Sequence, residues 1–181
     1  MPRIKARKQF TSSLSSKSID DLIRELKEYK DDINYATHQF TEKMLELGLS
    51  VARTELLQAR GGDFDKPVGE FDLYTNGWGE ITNGTLKLSG EQVLFFEFGA
   101  GIYFNNGKTH PLAGQFGYGV GSYPNQKHAY EKGWSYPDAN NDKKWHYTHG
   151  TEAAMPMYLA SKEMKEQIYK IAREVFQNVI K

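Results

Sequence analysis

Residues 92–101, QVLFFEFGAG, are the stretch that decides the predicted fold. Val93 to Phe96 form a continuous apolar run, which is typical of a strand buried on both faces. Gly99-Ala100-Gly101 follows and interrupts the apolar pattern. We therefore expect a central buried strand over residues 92–98, with the remaining elements arranged around it.

The distribution of glycine divides the sequence around this strand into three parts. Residues 1–60 contain one glycine, residues 61–150 contain the other sixteen, and residues 151–181 contain none. Glycine is unfavourable inside helices and common in turns, so this distribution predicts helices at both ends with strands and loops between them. The predicted fold class is α+β.

The N-terminal part carries the pattern of a long amphipathic helix. Ser18 offers a hydroxyl that can cap the first free backbone donors of a helix. An apolar stripe at helical spacing begins at Leu22, Ile23 and Leu26, and Gly61-Gly62 ends the pattern.

A single helix over this whole stretch would be about 60 Å long, whereas a compact domain of this size is only about 40 Å across. Such a helix either protrudes from the domain or breaks, and we expect a break at residues 30–34, where aspartate and asparagine side chains can compete for backbone hydrogen bonds. The predicted helices cover residues 19–29 and 33–59.

The other elements follow from turn and cap signals. Asn76-Gly77 and Asn83-Gly84 are typical hairpin-turn pairs in a region of alternating strands. Pro156 suits the first turn of a helix, and an apolar stripe continues from Met157 to Ile180. The sequence therefore predicts a C-terminal helix.

Charge and composition exclude several classes of protein. The 23 basic and 23 acidic residues balance, unlike those of a dedicated nucleic-acid binder or a polybasic membrane binder. The chain has no cysteine, which excludes disulfide scaffolds and thiolate metal sites. No apolar run approaches the ~18 residues that a membrane span needs, and no apolar segment typical of a secretory signal follows the basic N-terminus. We therefore expect neither a membrane-spanning helix nor a secretory signal peptide.

Residues 1–17 differ in composition from the rest of the chain. They carry five positive charges and no acid, and Arg3, Lys5, Arg7 and Lys8 supply four of these charges. With few apolar groups to offset the entropy of ordering, they are predicted to form a mobile basic arm ahead of one domain over residues 18–181. Such an arm is either a solvated tail or a segment that docks on a partner or on nucleic acid.

Residues 105–150 form a long insertion rich in glycine and aromatic residues. A segment of this length within a compact domain is usually functional or makes contacts. Trp134, Tyr136, Trp145 and Tyr147 either pack as a small satellite cluster or form a partner surface, where rigid rings provide much contact area.

The insertion also holds the best candidates for a metal site. His146 and His149 lie three residues apart, and His110, Asp138 or Asp142 could complete a ligand set. The alternative is that these histidines form hydrogen bonds or stack on neighbouring rings. The His-Glu-x-x-His pattern of zinc hydrolases is absent, so we expect no metal.

Other catalytic patterns are weak. Glu91 and Glu97 would lie roughly 20 Å apart along a strand, which is too far for a glycosidase pair. No Gly-x-Ser-x-Gly elbow occurs, and the glycines of residues 117–121 lack the Lys-Ser/Thr pair of a phosphate-binding loop. The sequence therefore predicts neither an enzyme nor a cofactor.

Two short motifs carry a resemblance to a known family. The first is Glu97-Phe98-Gly99-Ala100-Gly101 at the end of the apolar run, and the second is Pro156 with Tyr158, Leu159 and Ala160 at the start of the last helix. With the long helix before them, they resemble the siphophage neck and tail-component family, typified by the gene-ten product of a lambdoid phage. Ala100 replaces the family's usual threonine, and the insertion is longer than the family's hairpin.

This resemblance implies helices packed on a small curved antiparallel sheet and a structural role in the virion without catalytic residues. It implies a homo-oligomeric ring, commonly a hexamer, that meets other phage neck, connector or tail-tube proteins and lies near phage DNA. The expected location is the virion neck or tail, with the host cytoplasm as the site of assembly. Family-motif positions with a structural role are Gly99, Gly101, Pro156, Tyr158, Leu159 and Ala160.

Contacts between subunits or with partners are expected from the two motifs, the aromatic insertion and the basic arm. The candidates are Glu97, Phe98, Trp78, Trp134, Trp145, Arg3, Lys5, Arg7 and Lys8. Glu97 has two interpretations: its carboxylate either accepts backbone hydrogen bonds at a strand end or bridges subunits through an arginine or lysine.

The leading hypothesis is a head–tail joining, tail-completion or tail-terminator protein of a tailed phage or prophage. Two alternatives use the His/Trp-rich insertion: a phage-encoded cell-wall hydrolase, or a carbohydrate-binding module whose tryptophans stack on sugar rings.

Overall fold

The computed structural model describes residues 10–13, 15–59, 69–77, 81–90, 92–101, 109–118, 124, 130–138 and 141–177. The chain has an α+β fold with a long N-terminal helix and a C-terminal helix, which confirms the predicted class. The residues fall into two compact units. The first comprises Met1–Leu47, Leu73–Leu86 and Met164–Lys181, and the second comprises Gly48–Asp72 and Lys87–Glu163.

Helix α1 runs without interruption from Ser16 to Ala59, so the predicted break at residues 30–34 is wrong. Aspartate and asparagine cost a helix only about 0.7 kcal/mol each relative to alanine. The segment contains no proline or glycine that would remove a backbone hydrogen bond. Asn34 lies in the continuous helix and is buried. One turn later, the Thr37 hydroxyl donates a hydrogen bond to the Ile33 carbonyl at 2.9 Å.

The N-terminus of α1 is capped by an earlier serine than the sequence predicts. The Ser18 N–H donates to Ser15 Oγ at 3.3 Å, and Ser18 Oγ in turn accepts from the Ser13 N–H at 2.9 Å. Phe10 packs its ring against Tyr29 of α1, with centroids 5.5 Å apart. The described end of the basic arm therefore contacts the helix.

Helix α2, Val93–Phe98, replaces the strand predicted over residues 92–98, which was wrong. Its buried residues are Val93, Phe96 and Glu97, and their spacing places them on one helical face. A short apolar run fits a buried strand or a buried helix equally well, and tertiary packing selects the helix here. Phe96 packs against Leu56 of α1 in the core of the second unit.

The described strands form two two-stranded sheets. Strand β1 is Glu70–Asn76 and pairs with β2, Asn83–Ser89. Strand β3 is Trp134–Asp138 and pairs antiparallel with β4, Asn141–Thr148, with Trp134 opposite Thr148. The insertion therefore contains a hairpin, and it also contains a 3₁₀ turn at Ala113–Phe116.

The two Asn-Gly pairs have different roles. Gly77 has φ +94° where β1 ends, as expected for a turn. Asn83-Gly84 instead begins β2, so its predicted turn was wrong. A Cβ at Gly84 would lie 2.6 Å from Thr41 Cγ2 of α1, so this glycine allows β2 to approach the helix closely.

Helix α3 runs from Pro156 to Phe176, as the sequence predicts. Within the first unit its end packs on α1 through Phe176 and Phe40, whose ring centroids lie 6.3 Å apart. Within the second unit its first turns bury Pro156 and Ala160. In the described part of the chain, every helix is too short or too polar to cross a bilayer.

Candidate functional site

Among the described residues, the candidate site is a joint between the end of α2 and the start of α3. Glu97 lies in the last turn of α2, and the residue is 7% exposed. Its Oε2 accepts the Met157 N–H and its Oε1 accepts the Tyr158 N–H, both at 2.9 Å. These donors belong to the first turn of α3, which has no intrahelical acceptors for them. A negative charge is also favoured at this end of the helix dipole.

His110 is the second buried polar residue of this joint, at 4% exposure. Its Nδ1 accepts the Leu112 N–H at 3.0 Å, so the proton of the neutral ring lies on Nε2. That nitrogen is 3.3 Å from Glu97 Oε1. The ring therefore orients toward the carboxylate and is held in one tautomer by the backbone.

Aromatic rings contact His110 and its neighbour Phe98 in this joint. The Phe98 ring contacts the rings of His110, Phe116 and Tyr118, with centroids 4.5–5.1 Å apart. The ring of Tyr158 of α3 also contacts His110, with centroids 5.0 Å apart. Burial raises the pKa of Tyr118 above its ordinary value of 10.0, because the phenolate would lose its hydration.

Backbone contacts complete the joint and explain the glycines of the first motif. Gly99 has φ +79°, and a Cβ there would lie 3.1 Å from the Ala153 nitrogen and from the Thr151 oxygen. Ala100 and Thr151 exchange backbone hydrogen bonds of 2.8 and 2.9 Å. The Ala154 N–H donates to the Phe96 carbonyl at 2.7 Å. Glycine is required where two backbones approach this closely at positive φ.

The joint brings together the two motifs that the sequence analysis singled out. Glu97, Phe98 and Gly99 come from one motif, and Pro156 and Tyr158 come from the other. The polar atoms of Glu97 are committed to donors of the same chain, which matches the first of its two predicted roles, although at a helix end and not a strand end. The Glu97 carboxylate therefore connects α2 to α3, and both Glu97 and His110 are buried in the joint.

The tryptophans of the insertion divide between interior and surface. Trp134 on β3 is buried, whereas Trp145 on β4 is 63% exposed. Tyr147 lies two residues further along the same face of β4 and is also exposed. Its hydroxyl donates to the Lys132 carbonyl, and its ring contacts His149 with centroids 5.1 Å apart. The exposure of these two rings fits the predicted partner surface better than the satellite cluster.

The remaining predicted contacts have no described position. Trp78, Arg3, Lys5, Arg7 and Lys8 lie outside the described residues. Among the residues that are described, no three His, Asp or Glu side chains are grouped so that they could hold a metal ion.

Sequence reasoning identified Glu97 but missed its partners. His110 was considered as a metal ligand or, in the alternative, as a histidine that forms hydrogen bonds or stacks on neighbouring rings, and the structure shows the alternative. Phe116 and Tyr118 were not considered as its neighbours. Neither periodicity nor spacing connects these residues to α3, because the contacts form only when the insertion folds back on α2. No protein-family model, curated protein or solved structure matches the chain.

Proposed function

We propose that this chain is a structural virion protein of a tailed phage or prophage, acting as a ring subunit in the neck or tail. Its role would be head–tail joining, tail completion or tail termination. One observation carries the proposal: the two motifs behind the family resemblance, almost 60 residues apart, meet in one joint. This joint commits its polar side chains to holding two helices together, which suits a structural role.

The proposed partners are further copies of this chain, in a ring that is expected to be a hexamer, together with neck, connector or tail-tube proteins. The proposed location is the virion, after assembly in the host cytoplasm. Phage DNA would pass close to such a ring.

The test is negative-stain electron microscopy of lysates from a phage that carries this gene, with the gene deleted and then restored in trans. Filled heads separate from tails, rescued by the gene, would support a role at the junction. Abnormally long tails would assign tail termination. Normal infectious particles without the gene would refute the proposal.

A second candidate, a carbohydrate-binding role, is favoured by the exposure of Trp145 and Tyr147 on one face of β4. Exposed rings on a strand can stack on the apolar faces of sugars. Tryptophan fluorescence titration with soluble cell-wall glycan fragments tests this role. Saturable binding that is lost in Trp145→Ala would support it, whereas an unchanged spectrum at millimolar glycan would exclude it.

A further inference from the structure

The N-terminal half of α1 has an apolar seam that is partly open to solvent. Ile19, Ile23 and Leu26 expose 43%, 45% and 45% of their surface, although they are large aliphatic side chains on a well-formed helix. The opposite face carries a charged pair, in which Arg24 Nη2 lies 3.0 Å from Asp21 Oδ1. The helix therefore has a polar outer face and an apolar face that is not fully covered by the described chain.

The spacing of this seam is that of a coiled coil. Apolar residues alternate at intervals of three and four, the a and d positions of a heptad repeat. The seam residues are Ile19, Leu22, Leu26, Tyr29 and Ile33, of which Tyr29 also contacts Phe10 of the same chain. Ile23 occupies an e position beside the seam and widens the apolar face. A 3.5-residue period keeps such a seam facing a second helix over successive turns.

The charges that flank the seam indicate what the second helix is. Glu25 occupies a g position, and Lys30 occupies the e position five residues later. In a parallel pair of helices a g residue faces the following e residue of the partner. Two copies of this helix, side by side in parallel, would therefore place Glu25 of each beside Lys30 of the other. The surface is complementary to itself in this orientation.

We infer that residues 16–33 of α1 form a parallel helix–helix contact with the same residues of a second copy of this chain. A contact in which the same residues of two copies face each other is isologous, so the two copies are related by a two-fold axis parallel to the helices. The inference goes beyond the proposed function by naming a surface through which two copies of the chain meet. Its test needs no virion, so its failure is distinguishable from failure of the proposed function.

The absence of cysteine from the sequence makes a direct test possible. Ile19→Cys and Leu26→Cys each place one thiol on the seam, seven residues or about 10 Å apart along the helix. Arg24→Cys is the matched control, because Arg24 lies on the outer face and its side chain is 67% exposed. Each purified full-length variant is oxidised, and the covalent dimer is quantified on a non-reducing gel.

Parallel, in-register helices bring both seam thiols next to their own counterparts. We expect Ile19→Cys and Leu26→Cys to form dimers at least about tenfold faster than Arg24→Cys, since disulfides require Cα atoms within about 7 Å. Dimers at only one of the two seam positions would indicate antiparallel or crossed helices and would overturn the inference. Rates equal to that of Arg24→Cys would overturn it as well.

A charge exchange provides a second criterion. Glu25→Lys and Lys30→Glu, each introduced into the Leu26→Cys background, turn the attractive pairs into repulsive ones and are expected to slow dimer formation about tenfold. An equimolar mixture of the two variants restores opposite charges across the contact, so heterodimers should form at the original rate. Failure of the mixture to recover would contradict the parallel g–e pairing.

Discussion

Replacing Glu97 with glutamine tests whether the α2–α3 joint depends on a buried carboxylate. The substitution keeps the shape of the side chain and removes its charge. In the native chain the two carboxylate oxygens accept two backbone N–H groups at 2.9 Å, and Oε1 also lies 3.3 Å from His110 Nε2. Glutamine offers one acceptor oxygen, and its amide group would point a donor at one of the helix N–H groups.

The expected loss can be worked out from these contacts. A hydrogen bond to a charged group contributes about 1.5–3 kcal/mol, and the interaction with the helix dipole adds up to about 2 kcal/mol in a buried site. Glu97→Gln forfeits one such bond and the dipole term, so we expect the free energy of unfolding to fall by about 3 kcal/mol. For a chain of this size that corresponds to a melting temperature lower by about 6–12 °C.

Chemical denaturation followed by far-UV circular dichroism measures this loss. Glu152→Gln is the matched control, because Glu152 is an exposed glutamate close to the start of α3. It should change the free energy of unfolding by less than about 0.5 kcal/mol. A Glu97→Gln variant as stable as this control would refute the claim that the carboxylate holds the two helices together.

Four further substitutions test the packing around the joint. Gly99→Ala should lower the free energy of unfolding by about 2 kcal/mol because of its positive φ and close backbone neighbours, whereas Gly114→Ala, whose new Cβ would meet no atom within 4 Å, should have almost no effect in the same thermal melt. Phe96→Ala should cost about 4 kcal/mol in urea unfolding, since this side chain is fully buried; a cost below about 1 kcal/mol would contradict its place in the core. Tyr118 keeps its proton longer in the folded than in the unfolded chain, so stability should fall as pH rises above about 10, and Tyr118→Phe should reduce that slope in unfolding experiments at about pH 9 to about pH 11. An identical slope in both proteins would contradict the burial of the phenol.

The sequence was sufficient for the helices at both ends, because their apolar stripes repeat over many turns and no proline interrupts them. The sequence was not sufficient to predict the secondary structure of residues 93–98, which form a helix and not the expected strand. Val93, Phe96 and Glu97 already had helical spacing, but one and a half turns are too short to outweigh an apolar run that also fits a strand. The break predicted in α1 failed for a related reason: a weak local preference at Asp31 and Asp32 does not outweigh a continuous hydrogen-bonded ladder.

The sequence by itself therefore determined the α+β class and the helical character of both ends, and it singled out Glu97 and its glycines as candidates. Only the tertiary structure decided what Glu97 does, because its donors are the backbone N–H groups of Met157 and Tyr158, some sixty residues away. Every residue except proline carries the same backbone N–H group, so the sequence does not show which of these groups donate to Glu97. The pairing is set by where the chain brings α3, and that position depends on the packing of the whole second unit.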